Sequence, residues 1–213
     1  MKTNVLRARS SGEVKTPYAY NFRTSLPEAG GLYCIDVFGP VPWRAGEMMM
    51  ATDERKDRWG HVALPEALAF KSGSAAEVLM IVPPVYRRFK VLSADEHRSH
   101  ARARRAELVE LADTDAWPYP CDTLDKLLRE EGLDDPRAIE ALGEGAIEPR
   151  LNVAYRAVIN HCQRLEKLVE YGAPEATLEE YRAMLMASFA RTEDELNAAS
   201  LPTAVRALAL GGD

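Results

Sequence analysis

The sequence predicts an α+β protein with a small irregular β-containing core, a helical insertion and an antiparallel helical hairpin. Residues 151–175 place apolar side chains at intervals of three and four, which is the period of an amphipathic helix. Gly172 and Pro174 end that helix, and a second helical pattern follows them. Residues 78–82 form a short apolar run that two prolines end, which indicates a buried strand.

The first part of the chain, residues 1–92, is expected to be irregular and strand-rich. Residues 32–38 and 61–64 have the length and apolar content of short strands, in addition to residues 78–82. Prolines at positions 17, 27, 40 and 42 mark the loops between them. Because strands this short are not stable alone, we expect them to pack against helices.

The second part, residues 93–150, is expected to be mostly helical. Ser93 and Glu96 have the spacing of a capping box, and the helix that they open extends to about Ala112. A shorter helix is predicted for residues 122–131, ended by Gly132. A third begins at Asp135 and Pro136, since proline is favoured at the first helical position.

The third part, residues 151–213, contains the hairpin and a short helix at about 203–210. Thr177 and Glu180 have capping-box spacing, which predicts that the second hairpin helix begins at Thr177. The predicted core stripe of the first helix consists of Leu151, Tyr155, Val158, Ile159, Cys162, Leu165 and Leu168.

Composition excludes some classes of protein. The formal net charge of the 213 residues is −6, whereas an autonomous duplex-binding domain is usually basic because it must neutralise phosphates. The three cysteines are distant from one another and odd in number, which is typical of reduced thiols. The sequence has no secretory signal and no apolar run of membrane-spanning length, so we expect a cytoplasmic protein.

Four blocks of sequence carry a family resemblance. Residues 10–40 include Gly-Glu-Val-Lys, Asn-Phe-Arg-Thr and Phe-Gly-Pro; residues 53–70 include Trp-Gly-His-Val; residues 77–91 contain Val-Pro-Pro; and residues 151–175 form the first hairpin helix. In this order, the blocks resemble the N-terminal clamp region of the β′ subunit of bacterial DNA-directed RNA polymerase. They cover about half of the chain, and their shared order is more specific than any one motif.

The resemblance also shows what the chain lacks. Residues 41–58, where the family has a four-cysteine zinc ribbon, contain neither cysteine nor histidine, so no zinc site is expected. The Asp-rich loop that holds magnesium in the family has no counterpart. We therefore expect no metal, no cofactor and no catalysis by this chain alone, although it could be part of a polymerase.

Candidate nucleic-acid-binding residues come from two places. Arg87 and Arg88 follow the two prolines of residues 77–91, and the resemblance implies that this loop faces nucleic acid; a packed strand end is the other interpretation. Arg102 and Arg105 share one face of the helix that begins after Ser93, where either phosphate contact or simple solvation is consistent with the sequence.

His61 is interpreted as a structural histidine that hydrogen-bonds the backbone.

The hairpin is the main candidate for partner binding, because the resemblance implies that it binds the σ factor. The residues that match the polar face of the first family helix are Arg156, Asn160, Arg164 and Lys167, and Tyr181 of the second helix, where the family has a glutamate, is the fifth candidate. The chain departs from the family at His161–Cys162–Gln163, at Glu166 and on the second helix, so a self-packed hairpin with a solvated outer face is the other interpretation.

Three functions are consistent with the sequence. The first is a non-catalytic, β′-clamp-like transcription protein that binds polymerase subunits, a σ factor or another regulator through its hairpin, with weak DNA contact and no membrane. The second is an N-terminal fragment subunit of a split or divergent DNA-directed RNA polymerase. The third is a helical interaction module without a role in transcription.

Overall fold

A computed structural model describes residues 6–39, 58–65, 78–87, 89–114, 117 and 123–210. The chain forms two compact units: a core unit of Met1–Arg88 with Pro149–Asp213, and an inserted unit of Phe89–Glu148. Helices and small sheets are both present, so the predicted α+β class is confirmed. The hairpin that the sequence separates as a third part belongs to the core unit.

The core unit contains a three-stranded sheet in the order β1-β2-β3, with β1 at Ser10–Glu13, β2 at Trp59–Ala63 and β3 at Val78–Ile81. β1 is parallel to β2, and β2 is antiparallel to β3. The strands predicted at 61–64 and 78–82 are thereby confirmed, and all four residues of β3 are buried. A 3-10 turn at Pro84–Tyr86 follows β3.

Residues 32–38 do not form the predicted strand. They form a turn followed by a short helix, α1, at Ile35–Phe38. Consecutive side chains from Leu32 to Cys34 are buried, whereas a strand would place alternate side chains on opposite faces. A Cβ on Gly60 of β2 would lie 2.7 Å from Phe38 Cζ, so the phenyl ring packs directly on the backbone of the sheet.

The helical hairpin consists of α5, Arg150–Glu170, and α6, Glu175–Ala198, which pack against each other. The predicted stripe on α5 is buried, except that Leu168 is half-buried. α5 ends in a Schellman motif: Gly172 has φ 65°, and Ala173 N donates to Leu168 O at 2.9 Å. A last helix, α7, occupies Thr203–Ala209, as predicted.

The predicted start of α6 is wrong. The helix begins at Glu175, two residues before Thr177, and Pro174 is its N-cap, without a side-chain capping bond. Thr177 N donates to Pro174 O at 2.9 Å, so Thr177 already lies inside the first turn. The extended ψ of 144° that Pro174 adopts puts the helix start directly after the proline.

The inserted unit contains α2, Ala94–Ala112, with the Ser93–Glu96 capping box that the sequence predicts. α3 at Leu124–Glu130 and α4 at Pro136–Glu140 follow, and the strands β4, Lys90–Leu92, and β5, Gly145–Ile147, pair antiparallel. The sequence did not predict this pair. The unit's own core consists of Ala101, Leu108, Leu128, Leu133 and Ile139. Across the part of the chain that the structure describes, every helix is too short or too polar to cross a membrane.

Candidate partner-binding surface and buried polar groups

Arg87 lies in the interior of the core unit, with 1% of its surface exposed. Its Nη1 donates to Asn152 Oδ1 at 2.7 Å, and its Nη2 donates to Leu32 O at 2.9 Å. The guanidinium carbon lies 5.3–5.6 Å from the ring centroids of Tyr33, Phe38 and Tyr155. Hydrogen bonds and three aromatic rings together stabilise the buried cation.

The same network connects the hairpin to the sheet and its loops. Tyr33 donates its hydroxyl to Arg87 O at 2.9 Å and accepts from Asn152 Nδ2 at 3.1 Å. Val82 N donates to the Tyr155 hydroxyl at 3.2 Å, and burial raises the pKa of that hydroxyl to about 12. Asn152 and Tyr155 both belong to α5, so the network fixes the first hairpin helix on the core.

The position of Arg87 corrects the prediction that it contacts nucleic acid. A guanidinium that donates to Asn152 and Leu32 inside the protein has no exposed face for a phosphate. The other interpretation of this loop, a packed strand end, therefore describes Arg87. Arg88 lies outside the described residues.

The arginines of α2 hold the inserted unit together. Arg102 donates through Nε and Nη2 to the Glu140 carboxylate at 2.8 and 2.5 Å, and this bond is the main cause that lowers the pKa of Glu140. Arg104 makes the same two-bond contact with Glu131 at 2.9 and 2.8 Å. Arg105 Nε donates to Leu133 O at 3.2 Å. Predicted phosphate contact by Arg102 and Arg105 therefore has to compete with these internal contacts.

The outward face of α5 contains most of the predicted partner-binding residues. Asn160, Arg164 and Lys167 are exposed, whereas Arg156 is half-buried and donates through Nε to Pro17 O at 3.2 Å. Tyr181 lies on α6 and is half-buried. The structure thus places four of the five residues on one helix, and three of them are accessible to a partner.

Sequence reasoning missed an aromatic turn in the core unit, which we define as residues 18–28. Phe22 is 90% exposed there, and Tyr18 and Leu26 are also exposed. The rings of Tyr18 and Phe22 meet edge to face, with centroids 6.0 Å apart. The only signal for this exposure in the sequence was that the apolar residues Phe22 and Leu26 are surrounded by the polar residues Asn21, Arg23, Thr24 and Ser25.

His61 is buried in β2, as a structural histidine would be, and its ring contacts the Ser10 side chain as well as the Gly12 backbone. Its Nδ1 lies 2.8 Å from Ser10 Oγ. Burial lowers the pKa of His61, with Glu13 opposing and Arg7 adding to this effect. Ser10 belongs to β1, and its Oγ also donates to Trp59 O of β2 at 3.2 Å, so these contacts join β1 to β2. This arrangement favours a structural role.

Two of the three cysteines, Cys34 and Cys162, are buried and not in disulfides, and Cys121 lies outside the described residues. Burial raises the pKa of the Cys162 thiol to about 12, with a smaller contribution from the charge of Glu166. A thiol with this pKa stays protonated at neutral pH and is a poor nucleophile.

No protein-family model matches the chain. Among curated proteins, it is similar to β′ subunits of DNA-directed RNA polymerase. It is 22% identical to that of Methylibium petroleiphilum over 275 residues, which include 84% of this chain and 19% of the relative. It is 33% identical to those of Vibrio campbellii and Colwellia psychrerythraea over 85 residues, or 31% of this chain and 6% of each relative.

The chain therefore spans at most about a fifth of the length of these relatives. The alignment with the Methylibium petroleiphilum subunit is longer than the 213 residues of the chain, so it includes positions without a counterpart here. The similarity to β′ that the sequence blocks indicated is confirmed, whereas the assignment to the clamp region within β′ stays a prediction.

Proposed function

We propose that this protein is a non-catalytic, β′-clamp-like transcription protein that binds RNA polymerase, a σ factor or another regulator through its helical hairpin. The observation that carries this proposal is the similarity to a β′ subunit over 84% of the chain.

The separation of buried and exposed residues on α5 supports binding through the hairpin. Val158, Ile159 and Leu165 are buried and stabilise the fold, whereas Arg164 and Lys167 are exposed on the outer surface. A partner can therefore contact the outer face without unfolding the hairpin. Arginine and aromatic residues supply most of the binding energy in protein interfaces; α5 presents the exposed Arg164, and α6 contributes the half-buried Tyr181.

Contact with DNA is a secondary part of the proposal. Since Arg87 is buried, DNA contact depends on the exposed Arg102 and on Arg88. Because the net charge is −6, such contact is expected to be weak and to decrease with salt.

The test uses purified core RNA polymerase and σ factor from the source organism as analytes in biolayer interferometry. Arg164→Ala and Tyr181→Ala are each expected to weaken binding by ~1–3 kcal/mol without lowering the melting temperature. Leu165→Ala is the control, because it removes a fully buried side chain and is expected to cost ~2–5 kcal/mol of folding stability.

The outcomes separate the candidates. If wild-type protein binds neither analyte, polymerase and σ factor are not its partners and this part of the proposal is wrong. If it binds and the two surface variants bind equally well, the hairpin is structural and another surface makes the contact. If the chain co-purifies in equal amounts with other β′ fragments and restores their RNA synthesis, it is instead a fragment subunit of a split polymerase.

A further inference from the structure

The aromatic turn has a fixed backbone. Glu28 N donates to Ala19 O at 3.1 Å, and Asn21 N donates to Leu26 O at 2.8 Å, so the two ends of the turn are paired. Inside the turn, the Asn21 Oδ1 atom accepts from Arg23 N at 3.0 Å and from Thr24 N at 3.2 Å. The side chains on this turn are therefore presented by an ordered segment.

The apolar side chains of the turn are unusually accessible. Phe22 is 90% exposed, and Tyr18 and Leu26 are each about half exposed. Clustered apolar residues on an ordered surface are typical of interaction sites, because their transfer from water to an interface is favourable. A preorganised segment also loses little conformational entropy when it binds.

Two side chains of α5 attach the start of the turn to the hairpin. Arg156 Nε donates to Pro17 O at 3.2 Å, and Gln163 Nε2 donates to Lys15 O at 2.7 Å. Tyr18 directly follows Pro17, so the aromatic turn begins next to the segment that these two hydrogen bonds attach to α5.

The residues that attach the turn share a helix face with candidate partner residues. Positions 156, 160, 163 and 167 are separated by four, three and four residues, which places them in one row along α5. Asn160 and Lys167 are exposed in this row. The turn and the polar face of the hairpin therefore lie next to each other in the core unit.

We propose that the aromatic turn and the outer face of α5 form one docking surface for an acidic amphipathic segment of a protein partner. This inference rests on the proposed function and specifies the partner's chemistry. Apolar side chains of the partner cover Phe22 and Leu26, and its carboxylates face the exposed cations Arg23, Arg164 and Lys167.

Protein is favoured over nucleic acid as the occupant. Leu26 has no π face on which a base could stack, so one of the three exposed apolar side chains of the turn has no role in binding nucleic acid.

The test uses three labelled probes in fluorescence anisotropy. The first is a helical peptide with Leu and Phe on one face and Glu on the other; the second has Lys in place of each Glu; the third is single-stranded DNA. The full chain is expected to prefer the acidic peptide over the basic one. Phe22→Ala is expected to weaken acidic-peptide binding about tenfold while leaving circular dichroism and melting unchanged.

The matched control is Val91→Ala, which removes a 66% exposed apolar side chain from the inserted unit and is expected to leave binding unchanged. No binding of the acidic peptide, or equal binding by Phe22→Ala, would overturn the inference. So would DNA binding that Phe22→Ala abolishes, because the turn would then be a nucleic-acid site.

The two proposals fail in different ways. If polymerase or σ factor binds through Arg164 and Phe22→Ala has no effect on any probe, only the docking surface is wrong. If the acidic peptide binds through Phe22 but wild-type protein binds neither polymerase nor σ factor, the docking surface remains and the proposed function is wrong.

Discussion

Replacing Arg87 by alanine is expected to destabilise the core unit strongly. The substitution removes the donors to Asn152 Oδ1 and Leu32 O and the cation between three aromatic rings. Asn152 and Leu32 are both buried, so water cannot replace the lost donors without entering the core. The space left by the side chain adds a cavity.

The magnitude follows from opposing contributions. Each buried acceptor without a donor costs ~1–3 kcal/mol, and each lost cation–π contact costs ~0.5–2 kcal/mol. Removing the guanidinium also relieves the cost of keeping a charge away from water, which offsets part of the loss. We expect a net loss of ~3–5 kcal/mol, a large fraction of the ~5–15 kcal/mol that stabilises a typical domain.

Urea unfolding followed by tryptophan fluorescence measures this loss. In a Trp117→Phe background, the remaining tryptophans, Trp43 and Trp59, both belong to the core unit, so the signal excludes the inserted unit. The free energy of unfolding is compared between this background and the same background with Arg87→Ala.

Arg102→Ala is the matched control, because it also removes an arginine with two hydrogen bonds, but an exposed one in the inserted unit. Its effect on the core-unit transition is expected to be negligible. A loss below about 1 kcal/mol for Arg87→Ala would refute the reasoning, since it is smaller than the net cost expected for leaving two buried acceptors without donors.

Three further expectations concern pH, packing and DNA. Because burial lowers the pKa of His61 below the ordinary 6.5, the folded form resists protonation while the unfolded form accepts it. The contribution of His61 to stability should be fully present above about pH 6.5. Below that pH it should decrease, by at most about 1.4 kcal/mol per pH unit, until the pH passes the pKa of the folded form. In urea unfolding measured over a pH series, His61→Asn should remove this decrease. Gly60→Ala should cost ~1–3 kcal/mol in urea unfolding because its Cβ would meet Phe38, whereas Gly143→Ala, with open space around it, should be neutral. In anisotropy titrations, duplex DNA should bind at micromolar affinity or more weakly, and nanomolar, salt-insensitive binding would contradict this.

Local signals in the sequence were enough to predict α2 and α5. Ser93 and Glu96 cap α2 through contacts three residues apart, and the apolar row of α5 repeats with the helical period. The buried strand β3 was predictable for a similar reason, since a short apolar run ended by prolines has few other stable conformations. Such features depend on neighbours within one or two turns of chain.

The start of α6 shows where local signals compete. Thr177 and Glu180 have the spacing of a capping box, yet Pro174 already provides the extended residue after which a helix can begin. Both signals are present within a few residues, and spacing alone does not rank them. The same limit applies to residues 32–38, where apolar content fits a strand or a buried turn equally well.

The role of Arg87 was decided only by the tertiary structure. In the sequence it follows Tyr86 and precedes Arg88 and Phe89, a pattern that suits an exposed basic loop. Its hydrogen-bond acceptors come from positions 55 and 65 residues away, and the rings around it come from two separate segments, residues 33–38 and α5. Burial of a cation is stable only when such distant groups converge on it, and no local pattern encodes that convergence.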